Sequence, residues 1–139
     1  MSGDVVDNPT GWVARHIRRY DESDGTFNGH PALLLTTRGR RTGRLRRTAL
    51  WYGRDGERYV LVATARHPAW YLNLVQNPAV VVQVGETTFA AVAAPATAAE
   101  RPRLWRHMAE AIPKYREYRR KAGRDLAIVV VDPVSAVGG

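Results

Sequence analysis

Short runs of apolar and β-branched residues, each ended by a turn signal, dominate the middle of this 139-residue chain. A run of roughly four to eight such residues bounded by Gly, Pro, Asn or Asp is typical of a β-strand. Arg54-Asp55-Gly56-Glu57 and Gly85-Glu86 each predict a hairpin turn. The pattern predicts about six strands, at Ala32–Thr37, Thr48–Tyr52, Tyr59–Thr64, Val80–Val84, Thr87–Ala93 and Leu126–Val131. Strands in hairpin-like pairs, with helices between them, predict an α+β fold built on a mostly antiparallel barrel.

Helical spacing of apolar residues occurs before and between these strands. The helices are expected at residues 11–20, after Pro68, after a capping box formed by Thr97 and Glu100, and beyond a break at Pro113 as far as Lys121. No internal repeat or long linker divides the chain. We therefore expect an N-terminal helix and loop over residues 1–29 and a single barrel domain over residues 30–139.

The sequence lacks the residues that several classes of chemistry require. There is no cysteine, which excludes disulfides and thiolate chemistry. The four histidines are scattered without a partner at i+4, so no metal site is expected. No Gly-x-Ser-x-Gly elbow, paired carboxylates or phosphate-binding Gly-rich loop is present. Any reaction would therefore be carried by a cofactor. With no signal peptide and no apolar run of about 18 residues, we expect a cytoplasmic protein.

Arginines are concentrated in one turn. The net charge is +8, and the ten residues from Arg38 to Arg47 hold six arginines. Gly39 and Gly43 let backbone N–H groups turn toward an anion, and guanidinium groups bind phosphate through two parallel hydrogen bonds. The pattern fits a phosphorylated cofactor, a nucleic acid or an anionic membrane surface, and it also fits a solvated turn that binds nothing.

Two further segments carry aromatic residues. His67-Pro68-Ala69-Trp70-Tyr71-Leu72-Asn73-Leu74 follows the third strand and would form either core or a ligand wall. Tyr115 and Tyr118 lie at i, i+3 and so share one helix face. They would line a substrate pocket or cover the barrel surface. The helix at residues 11–20 has arginines on its polar side and could lie on a membrane surface, though such a helix more often packs on the barrel.

Taken in order, these motifs resemble the deazaflavin-dependent nitroreductase family of actinobacterial proteins. The resemblance runs from His30 to Pro133. It rests on Leu33–Gly43 with Arg46 following, on His67–Leu74, and on Asn77-Pro78 before a valine strand. It implies a split β-barrel of the FMN-binding split-barrel type that binds coenzyme F-420, a deazaflavin with a phosphate and a polyglutamate tail. It also implies hydride transfer from the reduced deazaflavin to a quinone or a nitroaromatic compound.

The resemblance also implies roles for individual residues. The cofactor phosphate would be held by the turn and the arginine after it, at Arg40, Arg41, Thr42, Gly43 and Arg46. The deazaflavin ring would lie along the second strand and under the following loop and helix, at Thr48, Ala49, Leu50, Ala63, Pro68, Ala69 and Trp70. Tyr115 and Tyr118 would line the acceptor pocket.

Three departures from the family pattern accompany the match. The loop before His67 is shorter and lacks the usual glycines, Ile112 replaces a third pocket tyrosine, and Ala49 replaces a proline. The shortened loop favours an alternative, a non-catalytic protein that binds a deazaflavin or another phosphorylated or lipid-like ligand in the same barrel. Nucleic-acid binding by the arginines is a weaker alternative, because no recognition motif accompanies them. A homodimer would be compatible with this kind of barrel.

Overall fold

The computed structural model describes residues 5–7, 20, 25–27 and 29–134. The helix predicted at residues 11–20 lies outside them, apart from Tyr20. The described strands are β1 (Val5–Asp7), β2 (Thr26–Phe27), β3 (His30–Arg38), β4 (Leu45–Trp51), β5 (Gly53–Asp55), β6 (Arg58–Ala63), β7 (Ala79–Val84), β8 (Thr87–Pro95) and β9 (Ala127–Pro133). The described helices are α1 (Ala69–Gln76), α2 (Arg101–Ala111) and α3 (Lys114–Ala122).

The six predicted strands are confirmed, with ends shifted by a few residues, and β1, β2 and β5 are added to them. These three are only two or three residues long and carry no periodicity that could reveal them. The sheet runs β1-β4-β3-β7-β8-β9-β6-β5, with β2 beside β3. All described pairings are antiparallel except β1 with β4.

The chain itself joins the two ends of this sheet. β4 and β5 stand near opposite ends of the strand order, yet only Tyr52 separates them in sequence. The backbone N–H of Tyr52 donates to the carbonyl oxygen of Pro31 at 3.2 Å. Gly53 follows because a Cβ atom there would overlap Met108 Sδ of α2. The sheet is thereby bent into a barrel, as predicted.

Alternation of side chains divides the apolar residues between the barrel interior and two outer layers. The interior contains Leu33, Leu35, Tyr59, Leu61, Val80, Val82, Val129 and Val131, with Leu74 of α1 packed against them. The intervening residues of β6 and β9 face outward under α2 and α3. Tyr20 covers the outer face of β3 and β4.

The predicted helix boundaries are largely confirmed. Pro68 is the residue before α1 rather than its first helical residue, because its ψ of 154° is extended. Thr97 and Glu100 form the expected capping box, with side-chain-to-backbone hydrogen bonds of 3.1 and 3.3 Å in the two directions. In the described part of the chain, no helix has the length and apolar character needed to cross a bilayer.

Candidate anion-binding cleft

The arginine turn joins β3 to β4 and is closed by its own backbone. The N–H of Gly39 donates to Arg44 O at 2.7 Å, and the N–H of Gly43 donates to Gly39 O at 2.9 Å. Gly43 has φ +73°, a left-handed conformation that glycine adopts without steric cost. The Arg38 side chain donates to Gly43 O at 2.8 Å. The turn is therefore an ordered structure rather than a loose loop.

Helix α1 holds this turn through one buried amide. Asn73 is 3% exposed. Its side-chain oxygen accepts hydrogen bonds from the backbone N–H of Arg40 at 3.1 Å and from Arg40 Nη1 at 3.0 Å. Its side-chain nitrogen donates to Thr37 Oγ1 at 3.2 Å. One side chain thus fixes the turn, the end of β3 and the helix relative to each other.

Between the turn, the start of β4 and α1 lies a cleft of about 290 Å³. Among the residues that the structure describes, four arginines and no acidic residue line it. The lining residues are Thr37, Gly39, Arg40, Arg41, Thr42, Arg46, Arg47, Thr48, Ala69, Trp70 and Asn73. Such a lining attracts an anion and offers it directed hydrogen-bond donors.

Three of the cleft arginines, Arg40, Arg41 and Arg46, are not neutralised by any carboxylate that the structure describes. Among the residues that the structure describes, Arg40, Arg41 and Arg46 form no ion pair, and Arg40 is hydrogen-bonded only to the neutral Asn73. Arginines elsewhere in the fold do pair, as Arg103 does with Asp55. The positive electrostatic potential of these arginines can therefore attract an anionic ligand.

The structure brings together seven of the twelve cofactor-binding residues that the sequence predicts. Those lining the cleft are Arg40, Arg41, Thr42, Arg46, Thr48, Ala69 and Trp70. Gly43 closes the turn without lining the cleft. Its predicted part in the site is therefore structural, through its backbone conformation.

The side chains of Thr48, Ala49 and Leu50, predicted to lie along the deazaflavin ring, point to two different faces of β4. Thr48 pairs with Leu35 and Leu50 with Leu33, so both face the barrel interior. Ala49 pairs with Leu34, and its side chain points to the outer layer instead. The alternation of a strand allows only every second side chain to face one ligand.

Ala63 and Pro68 line a second recess, of about 320 Å³. Tyr71 of α1 lies in the same wall, as do Arg66 and Arg101. Because Ala69 and Trp70 line the first cleft, the N-terminal end of α1 lies between the two spaces. The short loop before α1 places His67 at φ +49°, a left-handed conformation for a residue other than glycine.

The structure places Tyr115 and Tyr118 outside the cleft, and their position in an acceptor pocket stays a prediction. Tyr115 is 2% exposed and packs with Val60, Met108 and Ile128. Its ring lies edge-on to Trp51, with centroids 6.1 Å apart, and burial raises the pKa of its phenol. The shared helix face therefore turns inward, as apolar helix faces usually do on a barrel.

Four further residues line the cleft but were not among those predicted to bind the cofactor. They are Thr37, Gly39, Arg47 and Asn73. Asn73 carries the one signal that the sequence offered. It is an amide inside the apolar repeat Trp70, Tyr71, Leu74, and a polar residue on a buried helix face requires a hydrogen-bond partner. In the described part of the chain, no group of three His, Asp or Glu side chains is placed to hold a metal ion.

Comparison with known proteins gives one consistent result. Residues 12–133 match the family model described as "F420H(2)-dependent quinone reductase". An F420H(2)-dependent quinone reductase of Mycobacterium tuberculosis is 33% identical over 141 residues, which cover 86% of this chain and 95% of that protein.

Solved structures agree with the sequence match. An F420-H2 dependent reductase superposes with a TM-score of 0.67 at 33% identity, covering 73% of this chain and 94% of that one. A structure described as a domain-swapped dimer superposes with a TM-score of 0.68 at 31% identity, covering 90% of this chain and all of the other.

Proposed function

Because the chain belongs to the F420H(2)-dependent quinone reductase family, we propose that it transfers a hydride from reduced coenzyme F-420 to a quinone-type acceptor. The observation that carries this proposal is the cleft beside α1, which has four arginines and no carboxylate. Coenzyme F-420 has an anionic phosphate and carboxylate tail, and this donor set matches it.

The residues divide by role within the proposed site. Arg41 and Arg46 have guanidinium groups that no described side chain neutralises, so they would hold the phosphate. Arg40 is oriented by Asn73 and keeps further N–H donors for the same anion. The Thr42 hydroxyl accepts from the Arg44 N–H at 3.2 Å, which leaves its own hydrogen free to donate.

The uncharged part of the cofactor would lie against the other end of the cleft. Thr48, Ala69 and Trp70 form that end, and Ala63 and Pro68 continue beyond it in the second recess. Bound there, the deazaflavin would supply the hydride. The protein would bind the cofactor, exclude water and orient the ring, and no acidic or basic side chain is needed for the hydride itself.

We also propose that the chain pairs with a second copy of itself. The supporting observation is the structural relative described as a domain-swapped dimer. The match covers 90% of this chain and all of that relative. Pairing is proposed separately from cofactor binding.

Fluorescence titration of oxidised coenzyme F-420 tests the binding part. Wild-type protein is compared with an Arg40→Ala/Arg41→Ala double variant. We expect saturable binding that weakens by at least about tenfold in the variant, because hydrogen bonds to charged groups contribute roughly 1.5–3 kcal/mol each. Equal affinity in the two proteins would show that the turn is not the anchor.

Turnover is tested separately, with the chemically reduced cofactor and a panel of naphthoquinones, benzoquinones and nitroaromatic compounds. Loss of the reduced deazaflavin that depends on acceptor and enzyme supports the reductase. Tight binding without turnover on any acceptor would instead favour the non-catalytic binder, for which the short loop at His67 is the structural argument.

A further inference from the structure

The outward face of the β7–β8 hairpin is an exposed apolar surface. In the register of these strands Val81 lies opposite Ala90, and Ala79 lies opposite Val92. Val81 is 40% exposed and Val92 is 47% exposed. Their sequence neighbours Val80, Val82 and Ala91 point the other way, into the barrel. The four outward residues therefore form a block of adjacent cross-strand pairs that no described part of the chain covers.

This block continues into neighbouring strands. Ala94 of β8 is exposed one pair further along, opposite Val130. Val134 is 52% exposed, and its backbone N–H donates to Ala90 O at 2.9 Å. We call these six residues (Ala79, Val81, Ala90, Val92, Ala94 and Val134) the hairpin face. Contiguous exposed apolar surface of this kind marks an interaction site more often than scattered single residues do.

The hairpin face lies in the part of the chain from which basic residues are missing. The protein has 21 lysines and arginines, yet none falls between residues 67 and 100, where the only charged residues are Glu86 and Glu100. Asp132 of β9 lies opposite Val92 of β8 and adds one carboxylate at the rim of the hairpin face. Fourteen of the 21 basic residues lie instead in the arginine turn and in α2 and α3.

This separation of charge favours a second copy of the chain as the partner. Two copies of a protein with net charge +8 repel each other, and the repulsion is weakest where they meet through a surface without basic residues. In a twofold dimer the same patch faces itself, so any lysine or arginine in it would face its own copy. We propose that the hairpin face is the surface through which two copies of this chain pair, which rests on the pairing put forward above.

The topology determines how the faces would meet. β7 is bonded to β3 and β8, and β8 is bonded to β7 and β9, so each strand is paired on both sides over part of its length. The two copies would therefore pack sheet face against sheet face rather than extend one sheet. A stable interface buries on the order of 800 Å² per partner, so the hairpin face would form its apolar centre inside a polar rim that includes Asp132 and Thr88.

A matched pair of charge variants tests the proposal. Ala90 is at the centre of the hairpin face, and Ala122 is also an exposed alanine, on α3. We expect wild-type protein and Ala122→Arg to be dimeric in sedimentation equilibrium. In Ala90→Arg the dimer dissociation constant should rise at least about tenfold, because like charges would face each other across the axis.

Disulfide trapping provides a second measurement, since the chain has no cysteine of its own. Ala90→Cys or Val81→Cys should form a covalent dimer under mild oxidation, whereas Ala122→Cys should stay monomeric in denaturing gels. Cofactor titration on the same proteins should give unchanged affinity, because these positions lie outside the cleft.

Each result has one meaning. A wild-type protein that is monomeric at all concentrations overturns both the pairing and its surface. A dimer that survives in Ala90→Arg and is not trapped by cysteines at 81 or 90 overturns the hairpin face while the pairing stands. If wild-type protein is monomeric and Ala90→Arg lowers its melting temperature, a segment of the same chain covers this face, and the proposal is wrong.

Discussion

Asn73 Oδ1 lies 3.0 Å from Arg40 Nη1 and 3.1 Å from the Arg40 backbone nitrogen, and it accepts a hydrogen bond from both. The two residues are 33 positions apart in the chain. A neutral partner orients the guanidinium without cancelling its charge, which a carboxylate in the same place would do. The arrangement therefore preserves the positive potential of the cleft while reducing the freedom of the arginine.

Replacing Asn73 by alanine should weaken cofactor binding and lower stability together. The substitution leaves the buried Arg40 N–H and Thr37 hydroxyl without their partner, at a cost of roughly 1–3 kcal/mol in the free energy of unfolding. Urea unfolding and fluorescence titration with coenzyme F-420 measure the two effects.

Asn73→Asp is the matched control for that variant. It keeps an acceptor for Arg40 but places a negative charge in the cleft. We expect it to weaken cofactor binding more than it lowers stability. An affinity equal to wild type in both variants would show that Asn73 does not position Arg40 for the ligand.

Arg41→Ala and Arg46→Ala should each lower the affinity for coenzyme F-420 by about tenfold or more, because each removes a cationic donor from the cleft. Arg44→Ala is the matched control. Arg44 belongs to the same turn and is exposed, but it does not line the cleft. The dependence of affinity on salt concentration should be weaker in the first two variants than in the control.

A common loss in all three arginine variants would point to the general field of the turn rather than to specific contacts. An unchanged salt dependence in Arg46→Ala would contradict direct phosphate binding by that residue. Far-UV circular dichroism should be the same in all of these proteins, since the substituted side chains are exposed or half-buried.

Tyr115 should contribute to packing and not to the reaction. Tyr115→Ala should lower the free energy of unfolding by about 3–5 kcal/mol, as expected for loss of a buried aromatic side chain. Tyr118→Phe, by contrast, should leave kcat/KM for a quinone unchanged. A clear fall of kcat/KM in that variant at normal stability would restore the acceptor-pocket role that the sequence suggested.

The free energy of unfolding should decrease at acid pH, partly because Asp55 becomes protonated. Hydrogen bonds from Arg103, at 2.8 and 3.1 Å, and from Arg58 hold the pKa of this carboxyl well below its usual range. A carboxyl whose pKa is lower in the folded state stabilises the fold above its unfolded pKa of about 3.9 and loses that contribution as the pH falls below it.

Asp55→Asn should therefore be less stable than wild type at pH 7, with a difference that shrinks toward pH 2. Urea unfolding at a series of pH values measures it. Glu57→Gln serves as control, because Glu57 is exposed in the same hairpin and forms no ion pair with any described residue. A pH-independent difference for Asp55→Asn would mean that the ion pairs with Arg58 and Arg103 do not stabilise the hairpin.

Much of the barrel could be predicted from the sequence because the relevant signals are local. The apolar runs Leu33–Leu35 and Val80–Val82, each followed by a turn signal, indicate strands, although their uniform composition does not say which side chains face inward. The turns at Gly56 and Gly85 were also predictable, since both glycines adopt positive φ values that other residues avoid.

The sequence by itself therefore determined the strands, the turns and the arginine turn with its charge, all of which depend on neighbouring residues. Only the tertiary structure decided which helix face turns inward, so that Tyr115 became core while Asn73 met the turn. Those outcomes depend on residues far apart in the chain, brought together by burial of apolar surface on the barrel. Ala49 shows the same division. Its position in a strand was predictable from the sequence, but the packing of its side chain in the outer layer was not.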